Sequence, residues 1–228
     1  MISKYNILII IIISGLFFSC HKENYQEEIT PEDIISKTLQ SMKLNNNFEF
    51  SLHHEKGFID IGNNINLLSA KGRITENGIS IDSESSLGRA LIKTSAIVIG
   101  NRTWITNPIT QSWIEIPSDE SPLNFINLDL LISEILGDIN DITLNDQNPE
   151  SYYISANSNS NSFTSLVGSV VQNKNVNIEL EIDKNSNLIK KVIIYGQVQK
   201  TDKKDFKRII KFYSYGKNNI LSPPKIDD

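Results

Sequence analysis
Apolar and polar residues alternate in three different rhythms along the chain. An almost unbroken apolar run opens it, Ile7 to Phe18, interrupted by Ser14 and Gly15. A helical rhythm follows. Thr30-Pro31-Glu32-Asp33 is a helix start, with a capping hydroxyl, a proline in the first turn and acids at the positive end of the helix dipole. Ile35, Leu39 and Met42 then recur on one side with Ile34 flanking them, and Asn45-Asn46-Asn47 ends the helix. From Phe48 the period shortens to two. Phe48, Phe50 and Leu52 alternate with polar residues, and a turn at Lys56-Gly57 leads to Phe58–Ile61 and then Ile65–Ile74. Glu76-Asn77-Gly78 turns the chain into Ile79 and Ile81, and Ala90–Ile99 is a long apolar strand. Asn107-Pro108 forces a turn between Thr103–Thr106 and Ser112–Ile116, so Trp104 and Trp113 belong to neighbouring strands of a hairpin.

The second half repeats these rhythms. Phe125, Leu128, Leu131, Ile132, Ile135 and Leu136 cover more than the usual apolar stripe of about 100°, which predicts a helix over 125–136 buried on more than one side. Strands are expected at Ile139–Leu144 and Tyr152–Ala156, a loop at Asn157–Ser162, and a short third helix around Phe163, Leu166, Val167 and Val170. Val176, Ile178, Leu180 and Ile182 alternate strictly with Asn177, Glu179 and Glu181, the cleanest one-sided strand in the chain. A turn at Asp183–Asn187 leads to a strand at Leu188–Val198. A charged loop follows at Lys200–Lys204, then a strand at Phe206–Tyr215. The fold class is α+β: a curved antiparallel half-barrel sheet of about ten strands, a size at which open sheets curl, wrapped around two or three helices.

Composition narrows the partners. The 228 residues carry 22 Lys+Arg against 27 Asp+Glu, a net charge of −5. That balance argues against nucleic acid, which needs a basic face. A single cysteine excludes an internal disulfide and a cysteine zinc cluster. Its position is more informative than its number. Cys20 follows Lys4, the apolar run and Ser19, the order of a secretory signal with a small residue at the cleavage point. The run is short for a membrane span of about 20 residues. The ending resembles a bacterial lipoprotein signal, in which the cysteine becomes the acylated N-terminus. The expected organisation is a signal peptide at 1–19, a tether at 20–29, one domain at 30–221 and a loose tail at 222–228.

Few residue groups suggest chemistry. His53-His54-Glu55 lacks the second histidine of a zinc helix, and adjacent histidines on a strand face opposite ways, so both are expected as solvated strand-edge residues. Asp183, Asn185 and Asn187 copy the first calcium-loop positions, but Leu188 and Ile194 stand where glycine and glutamate are required. A hairpin turn is expected there. Asp138, Asp141 and Asp146 read as surface acids, and Asn101-Arg102-Thr103 is a formal glycosylation sequon, irrelevant if the source is bacterial. Dinucleotide, phosphate-loop and nucleophile-elbow motifs are absent from the sequence. Neither an enzyme, a metal nor a cofactor is expected.

Four segments, in order, carry a resemblance. The lipoprotein start is the first. Thr103-Trp104-Ile105-Thr106-Asn107-Pro108-Ile109-Thr110-Gln111-Ser112-Trp113 is the second, with Asn107 where the related pattern has Asp. Asn177-Ile178-Glu179-Leu180-Glu181-Ile182-Asp183 with Leu188-Ile189-Lys190-Lys191-Val192 is the third, less aromatic at Leu180 and Glu181. Phe212-Tyr213-Ser214-Tyr215-Gly216 with Ser222-Pro223-Pro224 is the fourth. Together they resemble the bacterial envelope lipoproteins named for the mycobacterial LppX and LprG, some of which carry glycolipids or long lipids. That resemblance implies a LolA/LolB-like half-barrel with an apolar cavity between sheet and helices. It also implies a lipid or glycolipid ligand and a place in the cell envelope, anchored through Cys20 on the extracytoplasmic side. Phe125, Leu128, Leu131, Ile132 and Ile135 are the candidate cavity residues. The alternative is an extracytoplasmic interaction or scaffold lipoprotein with a filled core and no ligand. No partner transporter can be named from the sequence.

Overall fold
A computed structural model describes residues 29–117, 121, 128–217 and 220–226, with the backbone alone at 128, 129, 146 and 147. Cys20 and Phe125 lie outside the described residues. Helix α1 spans Pro31–Leu44 and begins as its sequence predicts. The Thr30 hydroxyl accepts from the Asp33 amide at 3.1 Å, while the Asp33 carboxylate accepts from the Thr30 amide and hydroxyl at 3.3 and 2.7 Å. These bonds hold the Asp33 carboxyl below its ordinary pKa. Ile34, Ile35 and Met42 are buried, and Leu39 packs beside them.

Twelve strands form one antiparallel sheet, against about ten expected. They are β1 Phe48–Lys56, β2 Ile59–Asp60, β3 Ile65–Thr75, β4 Gly78–Leu87, β5 Ala90–Ile99, β6 Arg102–Thr106 and β7 Trp113–Pro117. The rest are β8 Asn140–Gln147, β9 Ser151–Asn159, β10 Asn175–Asp183, β11 Ile189–Tyr195 and β12 Lys207–Tyr213. Their spatial order is β7-β6-β5-β4-β3-β1-β12-β11-β10-β9-β8, with β2 paired to β3. The first strand therefore lies mid-sheet against the last, with Leu52 opposite Ile210 and His54 opposite Arg208. The free edges are β7 and β8, and the chain passes between them through helix α2, Leu128–Gly137. Leu131, Ile132, Ile135 and Leu136 are buried in one cluster with the inward-facing strand residues, which puts α2 over the inner face. Helix α3, Thr164–Val167, and the 3₁₀ turn Ser160–Phe163 contact α2 there. The result is an open, curved half-barrel of α+β class.

Strand periodicity decides which side chains meet the helices. Phe48, Phe50 and Leu52 of β1, Ile210 and Phe212 of β12, and Val192 and Ile194 of β11 all point inward and are buried. The ring of Phe50 lies over Gly72 of β3, where a Cβ would come within 3.0 Å of it and within 2.2 Å of the Ser80 carbonyl. Only glycine fits. Trp104 and Trp113 lie on the paired strands β6 and β7, as the Asn107-Pro108 turn predicts, and the Asn107 side chain accepts from the amides of Ile109 and Thr110.

Three sequence expectations need correction. Asn157–Ser162 is not a loop: β9 runs through Asn159, which pairs with Asn175, and a 3₁₀ turn follows. Ser160 is fully buried because its amide donates to the Lys174 carbonyl and its hydroxyl to the Val171 carbonyl. Small polar side chains that bond to backbone let this stretch pack like apolar sequence. The strand expected to reach Val198 stops at Tyr195, where Gly196 adopts φ 108° and its amide donates to the Phe206 carbonyl. The last strand is correspondingly shorter, Lys207–Tyr213. The Asp183–Asn187 turn is the expected hairpin, its carboxylate accepting from the amides of Asn185 and Ser186.

Candidate ligand cavity
An apolar gap lies where the middle of the sheet faces the helices. Its floor is Phe50 and Leu52 of β1, Ile210 and Phe212 of β12, Leu67 and Ala70 of β3, and Ile81 and Ser83 of β4. Leu131 of α2 and Leu166 of α3 close it. Ser83 is the single polar side chain in the lining, and its hydroxyl is occupied with the Thr94 carbonyl at 3.1 Å. The cavity measures about 30 Å³. That equals the share of one water molecule in the liquid and lies far below the several hundred Å³ of a typical ligand site. A second recess of about 190 Å³ opens between α1 and α2, bounded by Leu39, Met42, Phe48 and Ile132 with Lys43, Asn46 and Ser133 at its rim.

The candidate residues on the second helix separate. Leu131 is fully buried and lines the cavity. Ile132 faces the recess toward α1, and Ile135, 1% exposed, is core. One helix thus buries two sides, as its width of apolar surface predicts, while Leu130 is exposed. Leu128 begins α2, with its side chain outside the described residues, as Phe125 is entirely. The sheet supplies most of the wall. Its residues read from sequence only as alternating strand positions.

Along β1 and β12 the inner face changes character one pair beyond Leu52 and Ile210. There His54 stands opposite Arg208, and Arg208 is completely buried. The expectation that His54 is a solvated strand-edge residue is wrong, because β1 lies mid-sheet and the His54 ring is half-buried, its Nε2 without exposed surface. His53, on the opposite face, follows the alternation. The His54 Nδ1 lies 2.8 Å from the Leu68 carbonyl. A carbonyl only accepts, so Nδ1 carries the proton. Burial, helped by the nearby Arg208 charge, pushes the His54 pKa down to about 4, so the ring is neutral at pH 7.

Arg208 Nη2 donates to Asp202 Oδ1 at 2.6 Å and to the Phe58 carbonyl at 3.0 Å. Asp202 is itself fixed by the amides of Val198 and Gln199 at 2.9 and 2.8 Å. The Gln199 side chain accepts from the Asp60 amide and donates to the Asp60 and Val167 carbonyls, tying this loop to β2 and α3. Arg208 Nε and Nη1 and His54 Nε2 are buried without partners. Nearby, Gly57 takes φ 103° with the Phe206 ring packed against its α-carbon. Among the expected surface acids, Asp138 accepts from the Ser162 hydroxyl and the Asn159 amide, and Asp141 from Asn157. The Asp146 side chain lies outside the described residues. Among the described residues no His, Cys, Asp and Glu side chains are grouped to hold a metal ion, and no helix is long and apolar enough to cross a membrane.

Two solved structures share this architecture. LprF from Mycobacterium bovis aligns with a TM-score of 0.61 at 10% identity, over 87% of this chain and 96% of that one. The lipoprotein LppX from Mycobacterium tuberculosis aligns with a TM-score of 0.56 at 12% identity, over 86% of this chain and 98% of that one. The chain has the LppX/LprF fold. At this identity the likeness is one of fold. No family model and no curated protein matches the sequence. Within the LppX/LprF fold, the segments that carry the sequence resemblance are the β6–β7 hairpin, the β10–β11 hairpin and the end of β12. They reach both arms of the sheet and its centre.

Proposed function
We propose that the protein is an envelope lipoprotein, acylated at Cys20 and held on the extracytoplasmic side of a membrane. It binds lipid acyl chains between sheet and helices and carries or presents them. The observation that carries this reading is the lining of the cavity, apolar apart from Ser83, between the middle of the sheet and the helices packed over it. Each methylene buried there contributes about 0.8 kcal/mol without any specific polar partner. At about 30 Å³ the cavity does not hold an acyl chain, so uptake requires α2 to move off the sheet. Lipid entry then replaces the contacts of Leu131 with contacts to the ligand. The role is binding and presentation, without catalysis.

One observation favours a second reading, an interaction lipoprotein with a filled core: the same small volume. Mass spectrometry of organic extracts from the purified protein separates the two. Lipid at near-stoichiometric amounts supports the carrier. Protein that is empty and takes up no fluorescent acyl probe supports the filled core. The anchor has its own test, since Cys20→Ala moves the protein from the membrane to the soluble fraction if acylation holds it there. A variant that stays membrane-bound and acylated refutes the anchor.

A further inference from the structure
We propose that the acyl cavity ends in a carboxyl-binding site built from His54 and Arg208, so that the bound lipid is an unesterified fatty acid with its head group inward. This rests on the lipid-binding reading above and specifies its ligand. The cavity floor includes the cross-strand pair Leu52 and Ile210, and the next inward pair on the same two strands is His54 and Arg208. Two residues of strand advance about 7 Å, the width of a head group beside the end of a chain.

The unsatisfied groups define what fits. Arg208 has five N–H donors, and the two on Nη2 are used. One on Nε and two on Nη1 point at no acceptor, in a side chain with no exposed surface. Such donors are costly to bury unpaired, which makes the position one that demands oxygen lone pairs. His54 supplies the complement. With its proton on Nδ1, Nε2 is a bare acceptor, also buried and unpartnered. The charge of Arg208 is already matched by Asp202 at 2.6 Å, so an added anion would lack compensation. The guest must therefore enter neutral, offer lone pairs to Arg208 and give a hydrogen to Nε2. An un-ionised carboxyl group does all three, its carbonyl oxygen on Arg208 and its hydroxyl on His54. An ester has no hydrogen to give, and a phosphate brings the charge that the site cannot match.

Competition binding on the full chain tests this, with radiolabelled hexadecanoic acid displaced by the unlabelled acid or by its methyl ester. At pH 5, where a large share of the acid is un-ionised and His54 is still neutral, the acid is expected to compete at least about tenfold better, the equivalent of one hydrogen bond to a charged or buried partner. His54→Phe keeps a ring in place and removes Nε2, and it should lower acid affinity to that of the ester while leaving the ester unchanged. Equal competition by acid and ester on the unaltered protein overturns the carboxyl site, assigns the polar end to water and leaves lipid binding intact. Acid affinity unchanged in a folded His54→Phe overturns it as well. Failure of every acyl probe to bind overturns both this site and the lipid-binding reading. The comparison on the unaltered chain decides the matter even where the variant does not fold.

Discussion
The two arms of the half-barrel bury their inner faces to different degrees. In β10, Val176, Ile178, Leu180 and Ile182 are each at most 2% exposed, and Ile154 of β9 and Ile194 of β11 are equally covered. The other arm is looser. On β4 and β5 the inward positions Ile79, Ser83, Ile92, Thr94 and Val98 are half-buried, and only Ile81, Ser85 and Ala96 are fully covered. The 3₁₀ turn, α3 and α2 gather over the first arm, and the cavity opens where their cover ends. One arm is finished core. The other keeps apolar surface that a ligand can cover, so the fold stores its stability on one side and its binding capacity on the other.

Substitutions can break or sharpen this contrast. The largest effect is expected at the seam. Arg208→Met strands Asp202 as a buried, uncompensated charge and should remove about 3–5 kcal/mol of stability in urea denaturation. In the packed arm, Leu180→Ala should remove about 2–5 kcal/mol, while Ile92→Ala in the loose arm should remove less than half as much. Equal losses would show that the arms do not differ. Acid should act through the seam. The His54 pKa falls from 6.5 to about 4 on folding, so the neutral ring stabilises the fold fully above pH 6.5. That stability declines as pH drops through the interval and is gone below pH 4, a change of roughly 3 kcal/mol. The midpoint of urea denaturation at pH 7 and pH 4, compared between the native chain and His54→Phe, measures it, and the variant should lose less. The smallest effect is at the helix cap, where Thr30→Ala should lower stability by about 1 kcal/mol and leave both arms alike.

Legibility in the sequence follows the same division. β10 was readable because one face is water and the other is core, and period two then shows directly. Helix α1 was readable because its capping residues act locally. The fold class followed from such elements and their order. The site was harder to read. Helix α2 advertises its burial, but a cavity wall is shared, and Leu131 alone among the candidates whose side chains are described lines it. Phe50, Leu52, Ile210 and Phe212 look like any alternating strand, and only the pairing of β1 with β12 brings them to one floor. His54 defeats a local reading for the same reason. A local reading sees an HHE triplet, whereas the deciding neighbours, Arg208 and Asp202, are about 150 positions away. A usable signal did exist: His54 is in phase with Leu52, and Arg208 with Ile210. Two polar residues in register with core positions on two strands mark a buried polar pair. The Asn157–Ser162 stretch misleads in the opposite direction, since its polarity hides side chains that bond to the backbone under cover.

Placing β1 between β3 and β12 also sets when the domain can come into being. Phe50 and the Tyr213 hydroxyl, 163 positions apart, meet across the centre of the sheet. Neighbouring hairpins can form as soon as their residues are available, yet the two arms join only when the last strand arrives. Contacts of such long separation slow folding. A chain that emerges N-terminus first therefore completes its centre last, with the inner edge of β1 and the apolar floor uncovered until then. The strand that closes the domain is also the one that delivers Arg208 to His54. The polar end of the cavity is in this sense a product of the final folding step, assembled only when the whole chain is present.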